Sequence, residues 1–480
     1  MTYDFIIIGA GLGGLTAGAK LAKEGKSVLV LEQHDRPGGC ATTFKRKEFT
    51  MEVGLHEMEG LYPKDKKISM FEDLGILDRV KFLPLPEFYR FINGRQDIVI
   101  PHDVEQAKQV LKSAFPGEDS GIEAYFWHLA NAKRVMVMNR HQPEKSVGQF
   151  LDKIIGDEDL KLVLLGNLGY FSDDPYSLSW FYYLSAQASN YGGRANFIQG
   201  GSQQLSVALA EIIRENGGEV RLNCLVTGIE YEGKSPAGVT CRDTKGKERK
   251  PFSCRAPDII VNAAVPNLAS HLLPGADGKK LAKSLRNNRI GASLFTVYFG
   301  FSKPLKEIGN RYYATFLFDP SIRKLGDILP NNKSDFSTRS FTFVDYSQVD
   351  SMLAPEGKGV GAVCGIDYPA DWEGLSREEY NRMKSDVAYA ITDRCESFIP
   401  GFRDAVEYVE VATSLSVKRF TLNPGGAVYG FAQDPGKSNE YLSVLPDHIH
   451  IASAWGKLGG GFSGAILNGY NTATELLKKR

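Results

Sequence analysis

At 480 residues the chain is long enough for two packed cores, and 57 Lys plus Arg balance 57 Asp plus Glu to a formal net charge of zero. That balance leaves no global electrostatic draw toward nucleic acid. The six cysteines (Cys40, Cys224, Cys241, Cys254, Cys364, Cys395) show no C-x-x-C spacing, so no metal site is expected, and they read as reduced thiols of a cytoplasmic protein. The first strand begins by about residue 3, leaving no room for a signal peptide. The longest uncharged stretch, 175–193, is too polar to span a membrane.

The strand Phe5-Ile6-Ile7-Ile8 runs directly into Gly9-Ala10-Gly11-Leu12-Gly13-Gly14. A second strand, 27–31, ends on Glu32 and is followed by Gln33 and Arg36-Pro37-Gly38-Gly39-Cys40. G-x-G-x-x-G gains its meaning from this context, between a strand and a helix with an acid closing the next strand. Gly9 permits the tight turn and Gly11 lets the backbone approach a pyrophosphate. Gly14 lets the helix pack on the strand, with the diphosphate at the helix N-terminus. Glu32 can accept hydrogen bonds from ribose hydroxyls, whereas a 2′-phosphate there would meet like charge. Seventeen residues separate Gly14 from Glu32, and five more precede Gly38. This second glycine pair offers another close backbone approach. A plain NAD dehydrogenase has no need of it, but a long, folded-back cofactor such as FAD does.

Further nucleotide-type signals follow in two more pieces. Gly200-Gly201-Ser202 opens a helix with apolar Leu205, Leu209, Ile212 and Ile213, which Gly217-Gly218 stops. Strands are expected at 219–222, 226–231 and 258–264. Near the end come a strand at 448–452, Gly459-Gly460-Gly461-Phe462-Ser463-Gly464, and a helix running to Arg480. The intervening stretches are richer in aromatic residues, with strands at 88–92, 294–301 and 360–366. The chain therefore reads as α/β: a discontinuous, three-layer, Rossmann-like FAD-binding domain (1–70, 194–289 and 406–480) with an inserted α+β substrate domain (71–193 and 290–405). Gly357, Gly359 and Gly361 precede a strand instead of following one, so they read as a turn, and no second nucleotide domain is expected. Residues 279–289 hold five basic side chains and no acid, with an apolar stripe of Leu281, Ala282 and Leu285. Such a helix could make peripheral contact with an anionic membrane, or be a core-packed helix with a solvated basic face.

Four stretches together resemble the phytoene desaturase-type FAD oxidoreductases, nearest to their carotenoid isomerase and retinol saturase branch. They are residues 32–39, Phe49-Thr50-Met51-Glu52-Val53-Gly54-Leu55-His56, Asn423-Pro424-Gly425-Gly426-Ala427-Val428-Tyr429-Gly430, and the C-terminal glycine-rich run. Gly54-Leu55-His56 is similar to the Gly-Ile-His of retinol saturases. One departure stands out: the family's Gly-x-x-x-x-Pro-Gly appears here as Ala452-Ser453-Ala454-Trp455-Gly456-Lys457-Leu458-Gly459. The resemblance implies FAD contacts from the residues of 9–14, Glu32, Gln33, Arg36, Gly38, Gly39 and Cys40. It adds Val53, Gly54, Leu55 and His56 beside the isoalloxazine, then Val226, Ala263, Gly456, Phe462, Gly464 and Ala465.

It also implies a hydrophobic polyene or isoprenoid substrate, of carotenoid or retinoid type, held in a tunnel and saturated, desaturated or isomerised at carbon–carbon double bonds. The electron donor or acceptor is left open. Trp180, Phe181 and Tyr182 lie in an uncharged aromatic segment suited to lining an apolar cavity. His56 is the first candidate acid or base, since imidazole titrates in the useful range; the alternative is that it only hydrogen-bonds the cofactor. Glu57 and Glu59 are weaker candidates, expected to be solvated or salt-bridged. No metal is expected. Two other functions suit the same scaffold: an amine-oxidase-like flavoenzyme, and a non-catalytic lipid-binding protein like the Rab GDP-dissociation inhibitors. The second would be expected to lose the glycines or Glu32, and both are intact.

Overall fold

The computed structural model describes residues 2–63, 65–139, 141–245 and 250–479. Phe5–Ile8 is buried along its whole length and forms the centre of a five-stranded parallel sheet. Its order is Ile449–Ile451, Asp258–Val261, Phe5–Ile8, Val28–Leu31, Glu219–Arg221. Unbroken apolar strands of this kind belong to a sheet covered on both faces. Ile7 and Val30 share a core with the helices Leu12–Lys23, Gln203–Glu215 and Gly461–Lys478. Ile6, Ile8, Leu29 and Leu31 instead pack with a three-stranded antiparallel sheet, Cys224–Glu232, Ser235–Asp243 and Pro251–Arg255. These are the three expected layers. The first and last helices touch backbone to backbone: a methyl on Gly469 would lie 2.1 Å from the Gly13 carbonyl oxygen. The expected end of the last helix, Arg480, lies outside the described residues.

A second, seven-stranded mixed sheet has the order Val406–Ala412, Ser293–Phe301, Gly359–Asp367, Phe341–Asp345, Ala314–Leu317, Tyr89–Ile92, Asp97–Ile100. Side chains alternate across a strand. In Ser293–Phe301, accordingly, Phe295, Val297 and Phe299 join a core with the helix Arg377–Glu396. Leu294, Thr296 and Tyr298 line a large internal cavity. Helices Asp119–Ala130, Ala132–Met138, Val147–Ile154 and Trp180–Gly192 stand over the same region. Gly357 adopts φ +77° in a turn entering Gly359–Asp367, as its position before a strand suggests.

One expectation here needs correction. The return to the nucleotide unit comes later than residue 406, because Val406–Ala412 pairs antiparallel with Ser293–Phe301 in the second sheet. Of the two readings of the basic helix Gly275–Ser284, the core-packed one holds: Leu281 is fully buried and Leu285 packs on the same core. Arg289, counted among the basic residues, is held by Asp434 (2.8 Å) and Asp173 (3.3 Å).

Candidate functional site

Gly9 takes φ +95°, a conformation open to glycine but rare for other residues, and turns the chain off the central strand. Gly11 then caps the helix Leu12–Lys23 with no side chain over its first amides, which leaves them available to an anion. A methyl on Gly13 would lie 1.9 Å from the Ala452 oxygen, and one on Gly14 would lie 2.3 Å from the Gly9 oxygen. On Gly11 it would approach the Asn262 side-chain amide to 2.8 Å. The second glycine pair lies against the first loop, with the Gly38 N–H donating to the Ala10 oxygen at 2.7 Å. Two close backbone approaches therefore sit side by side, as a folded-back dinucleotide requires.

Glu32 is buried, and its carboxylate accepts hydrogen bonds from the Ala10 amide (2.7 Å) and the His34 amide (2.9 Å). Burial pushes its carboxyl up and these amides pull it back down. One bond per oxygen leaves lone pairs for ribose hydroxyls on the cavity side. Arg36 donates to the Thr43 oxygen (2.9 Å), and Gln33 donates to the Phe420 oxygen (3.3 Å).

These loops open into a cavity of about 1890 Å³. Pockets for single small ligands run to roughly 300–1,000 Å³, so a large dinucleotide and a second molecule fit together. Of the residues singled out in the sequence, all but Ala10, Gly14, Leu55, Gly456 and Trp180 line this cavity. Ala10 serves Glu32 through its amide, and Gly14 packs the helix on the strand. Leu55 is buried, its carbonyl accepting from the Tyr346 hydroxyl at 3.1 Å. Gly456 sits in a turn, donating to the Ser453 oxygen at 2.9 Å. Trp180 is a correction: it stacks on Phe150 with centroids 3.6 Å apart, on the face of its helix turned away from the cavity. Phe181 and Tyr182, the next two residues, do line it.

Several site residues were not singled out. Glu52 is fully buried with no cation partner among the described residues, and its carboxylate is held by the amides of Gly54 (3.1 Å), Leu55 (2.9 Å) and Ser202 (2.7 Å) and by the Ser202 hydroxyl (2.7 Å). An acid closing an apolar strand was a visible signal; its partner 150 residues on was not. Asn262 donates to the Gly9 oxygen at 3.2 Å. Asn468 steadies the segment that departs from the family pattern, donating to the oxygens of Ser453 (3.0 Å) and Gly459 (3.2 Å). His56 lies 3.0 Å from the Tyr170 hydroxyl and 3.7 Å from the Cys364 sulfur, all three in the cavity wall. Burial lowers the His56 imidazole to about 4, so it is neutral at neutral pH. Burial raises the Cys40 thiol to about 11 and the Cys364 thiol to about 12, which leaves both as neutral thiols. Glu59 forms its expected salt bridge, to Lys67 at 3.6 Å. Glu57 instead lines the cavity.

A strand–glycine loop–helix unit, an acid on the neighbouring strand and a second glycine pair over a deep cavity define a dinucleotide-dependent flavoprotein. A sequence profile of the flavin containing amine oxidoreductases matches residues 12–477, and the chain belongs to that family. It is 25% identical over 475 residues to an all-trans-retinol 13,14-reductase of Danio rerio, covering 89% of this chain and 77% of that protein. It is 27% identical over 460 residues to the chloroplastic prolycopene isomerase 2 of an Oncidium hybrid cultivar, covering 89% and 75%. Its fold matches the crystal structure of an oxidoreductase from Methanosarcina mazei with a TM-score of 0.66, over the full length of both chains at 17% identity. The chain is an FAD-dependent oxidoreductase.

Changing Glu32 to Ala removes charge-assisted hydrogen bonds worth about 1.5–3 kcal/mol. It also strands the Ala10 and His34 amides. FAD retention, followed by the fluorescence of released flavin, should weaken on the order of tenfold to a hundredfold. Retention equal to the parent's would remove Glu32 from the ribose site.

Proposed function

We propose that this flavoenzyme acts on carbon–carbon double bonds of a hydrophobic polyene or isoprenoid of carotenoid or retinoid type, by saturation, desaturation or cis–trans isomerisation. The observation that carries this reading is the continuity of one cavity from the glycine loops to a wall of Phe44, Tyr170, Phe171, Phe181, Tyr182 and Tyr298. A long apolar molecule on that wall would share the enclosure with the cofactor. The retinol reductase and prolycopene isomerase named above support the substrate class. FAD, when bound, supplies two-electron hydride exchange. The chain's residues do the rest: the glycine loops and Glu32 hold the dinucleotide, and the aromatic wall excludes water. The His56–Tyr170 pair fixes the edge of the segment expected beside the isoalloxazine. In this reading residues 1–70, 194–289 and 413–480 bind FAD, and 71–193 with 290–412 enclose the substrate. A cofactor-free lipid carrier on the same fold would have no use for Glu32 or the paired glycines.

Purified, FAD-loaded protein incubated anaerobically with retinol and a short carotenoid panel, with reduced and oxidised flavin in parallel, should convert at least one polyene. Gain or loss of two hydrogens by mass would give the direction of redox chemistry; a new retention time at unchanged mass would give isomerisation. Conversion of none would contradict the reading.

Peripheral membrane contact belongs to the same proposal, on a different surface from the basic helix. Val137 and Met138 are each 65% exposed and Met136 is exposed on the same helix, Ala132–Met138; Trp127 is exposed on the preceding helix, Asp119–Ala130. Met136 and Lys133 also line the cavity, so this patch adjoins the substrate's route. Exposed apolar residues flanked by Lys133 and Arg134 suit an anionic lipid surface. No helix among the described residues is long and apolar enough to cross a membrane. The protein should sediment with vesicles containing phosphatidylserine, and Val137→Glu with Met138→Glu should abolish this. Equal sedimentation of parent and variant would rule the patch out.

A further inference from the structure

Four acids crowd the segment that leads along the cavity, and three of them are committed. Glu52 is satisfied by amides and a hydroxyl, while Glu59 and Asp65 hold Lys67 at 3.6 and 3.0 Å. Glu57 is partly buried, lines the cavity and makes no side-chain hydrogen bond or ion pair with any described residue. The titratable groups whose fields reach it are Glu59 and three tyrosines, Tyr89, Tyr170 and Tyr313; none is a cation. It directly follows His56, whose ring lies against Tyr170 at the cavity wall.

We propose that Glu57 is the carboxylic acid that delivers a proton to the substrate carbon skeleton when a double bond is saturated. This rests on the double-bond reading above. In the step, the Glu57 O–H bond breaks and the π pair of the alkene takes the proton to form one C–H bond. The neighbouring carbon accepts a hydride, which reduced FAD supplies as the two-electron donor. The alkene is reduced, the flavin is oxidised, and Glu57 is left as a carboxylate to be reprotonated from water.

The other candidates on this wall are poorer proton donors at neutral pH. Burial strips the proton from His56, and it raises the Tyr170 hydroxyl far above its ordinary range. For Glu57, burial first and the negative charge of Glu59 second push the carboxyl up to about 8. It therefore keeps its proton at neutral pH, where a solvated glutamate has lost it. Saturation dependent on Glu57 should hold at low and neutral pH and decline as pH rises through that value.

The test uses FAD-loaded parent, Glu57→Gln and Glu57→Asp, each checked for flavin content and thermal unfolding. Infrared difference spectra against pH give a readout independent of turnover. The parent should show a protonated carboxyl band that disappears with a midpoint near 8, and Glu57→Gln should lack it. General acid catalysis contributes roughly a hundredfold or more, so Glu57→Gln should lose about that factor in saturation rate while retaining FAD and polyene binding. Glu57→Asp, which keeps the acid, should recover part of the rate with a displaced pH profile. A parent without the band overturns the inference, and so does a Glu57→Gln rate within a few fold of the parent with the same pH profile. Should Glu57→Gln fail to fold, a Glu57→Asp rate and pH profile identical to the parent's would overturn it as well. A parent inert toward every polyene would instead bring down the double-bond reading itself.

Discussion

The turn at residues 9–14 is pressed between two other parts of the chain, and the rest of the molecule is arranged around that pressure. The Ala452 oxygen lies 1.9 Å from where a Gly13 methyl would sit, and the Gly13 oxygen lies 2.1 Å from where a Gly469 methyl would sit. Asn262 closes the third side through its bond to the Gly9 oxygen. Segments from the start, middle and end of the chain thus meet at one loop, and the contacts of Gly13 with Ala452 and of Gly469 with Gly13 require the absence of a Cβ. A methyl forced into such a place costs about 1–3 kcal/mol through backbone displacement. The same closeness leaves the helix N-terminus facing the cavity without a capping side chain. Fold and cofactor site are therefore one construction.

Two buried carboxylates extend it. Among the described residues no cation lies within bonding distance of Glu32 or Glu52; each is satisfied by backbone amides, with the Ser202 hydroxyl added for Glu52. A buried charge is tolerable only when hydrogen-bonded in this way. Glu32 joins the glycine loop to the end of the second strand and lines the cavity. Glu52 joins the 52–55 segment to the start of the helix Gln203–Glu215. It thereby fixes where His56 and Glu57 enter the cavity. The electrostatics of the cavity wall depend on this scaffold: desolvation pushes the His56 imidazole down and the Glu57 carboxyl up.

How much of this was legible depended on how local the cause was. Gly9 and Gly38 are dictated by their own backbone conformations, and Phe5–Ile8 by its own apolar run, so sequence alone found them. The aromatic segment was found but not oriented. On the helix Trp180–Gly192, Trp180, Tyr183, Leu184 and Gln187 form the buried face, while Phe181, Tyr182, Ser185 and Ala186 face the cavity. Helical geometry implies two such faces, but only the packing of Phe150 tells which is which. Asn262 and Ser202 act on partners distant in sequence, Gly9 and Glu52, and nothing local marks those pairings. The strand Val406–Ala412 was assigned to the wrong unit for the same reason, since its membership rests on pairing with residues more than a hundred positions earlier.

The most direct measurement is the absorption spectrum of the purified chain, with the released cofactor identified by mass and counted per chain. The account predicts a yellow protein carrying one FAD per chain, released intact on denaturation. A colourless protein that takes up no FAD when it is offered, or one that carries FMN instead, would contradict it. In either case the glycine loops and Glu32 would be holding something other than a folded-back dinucleotide.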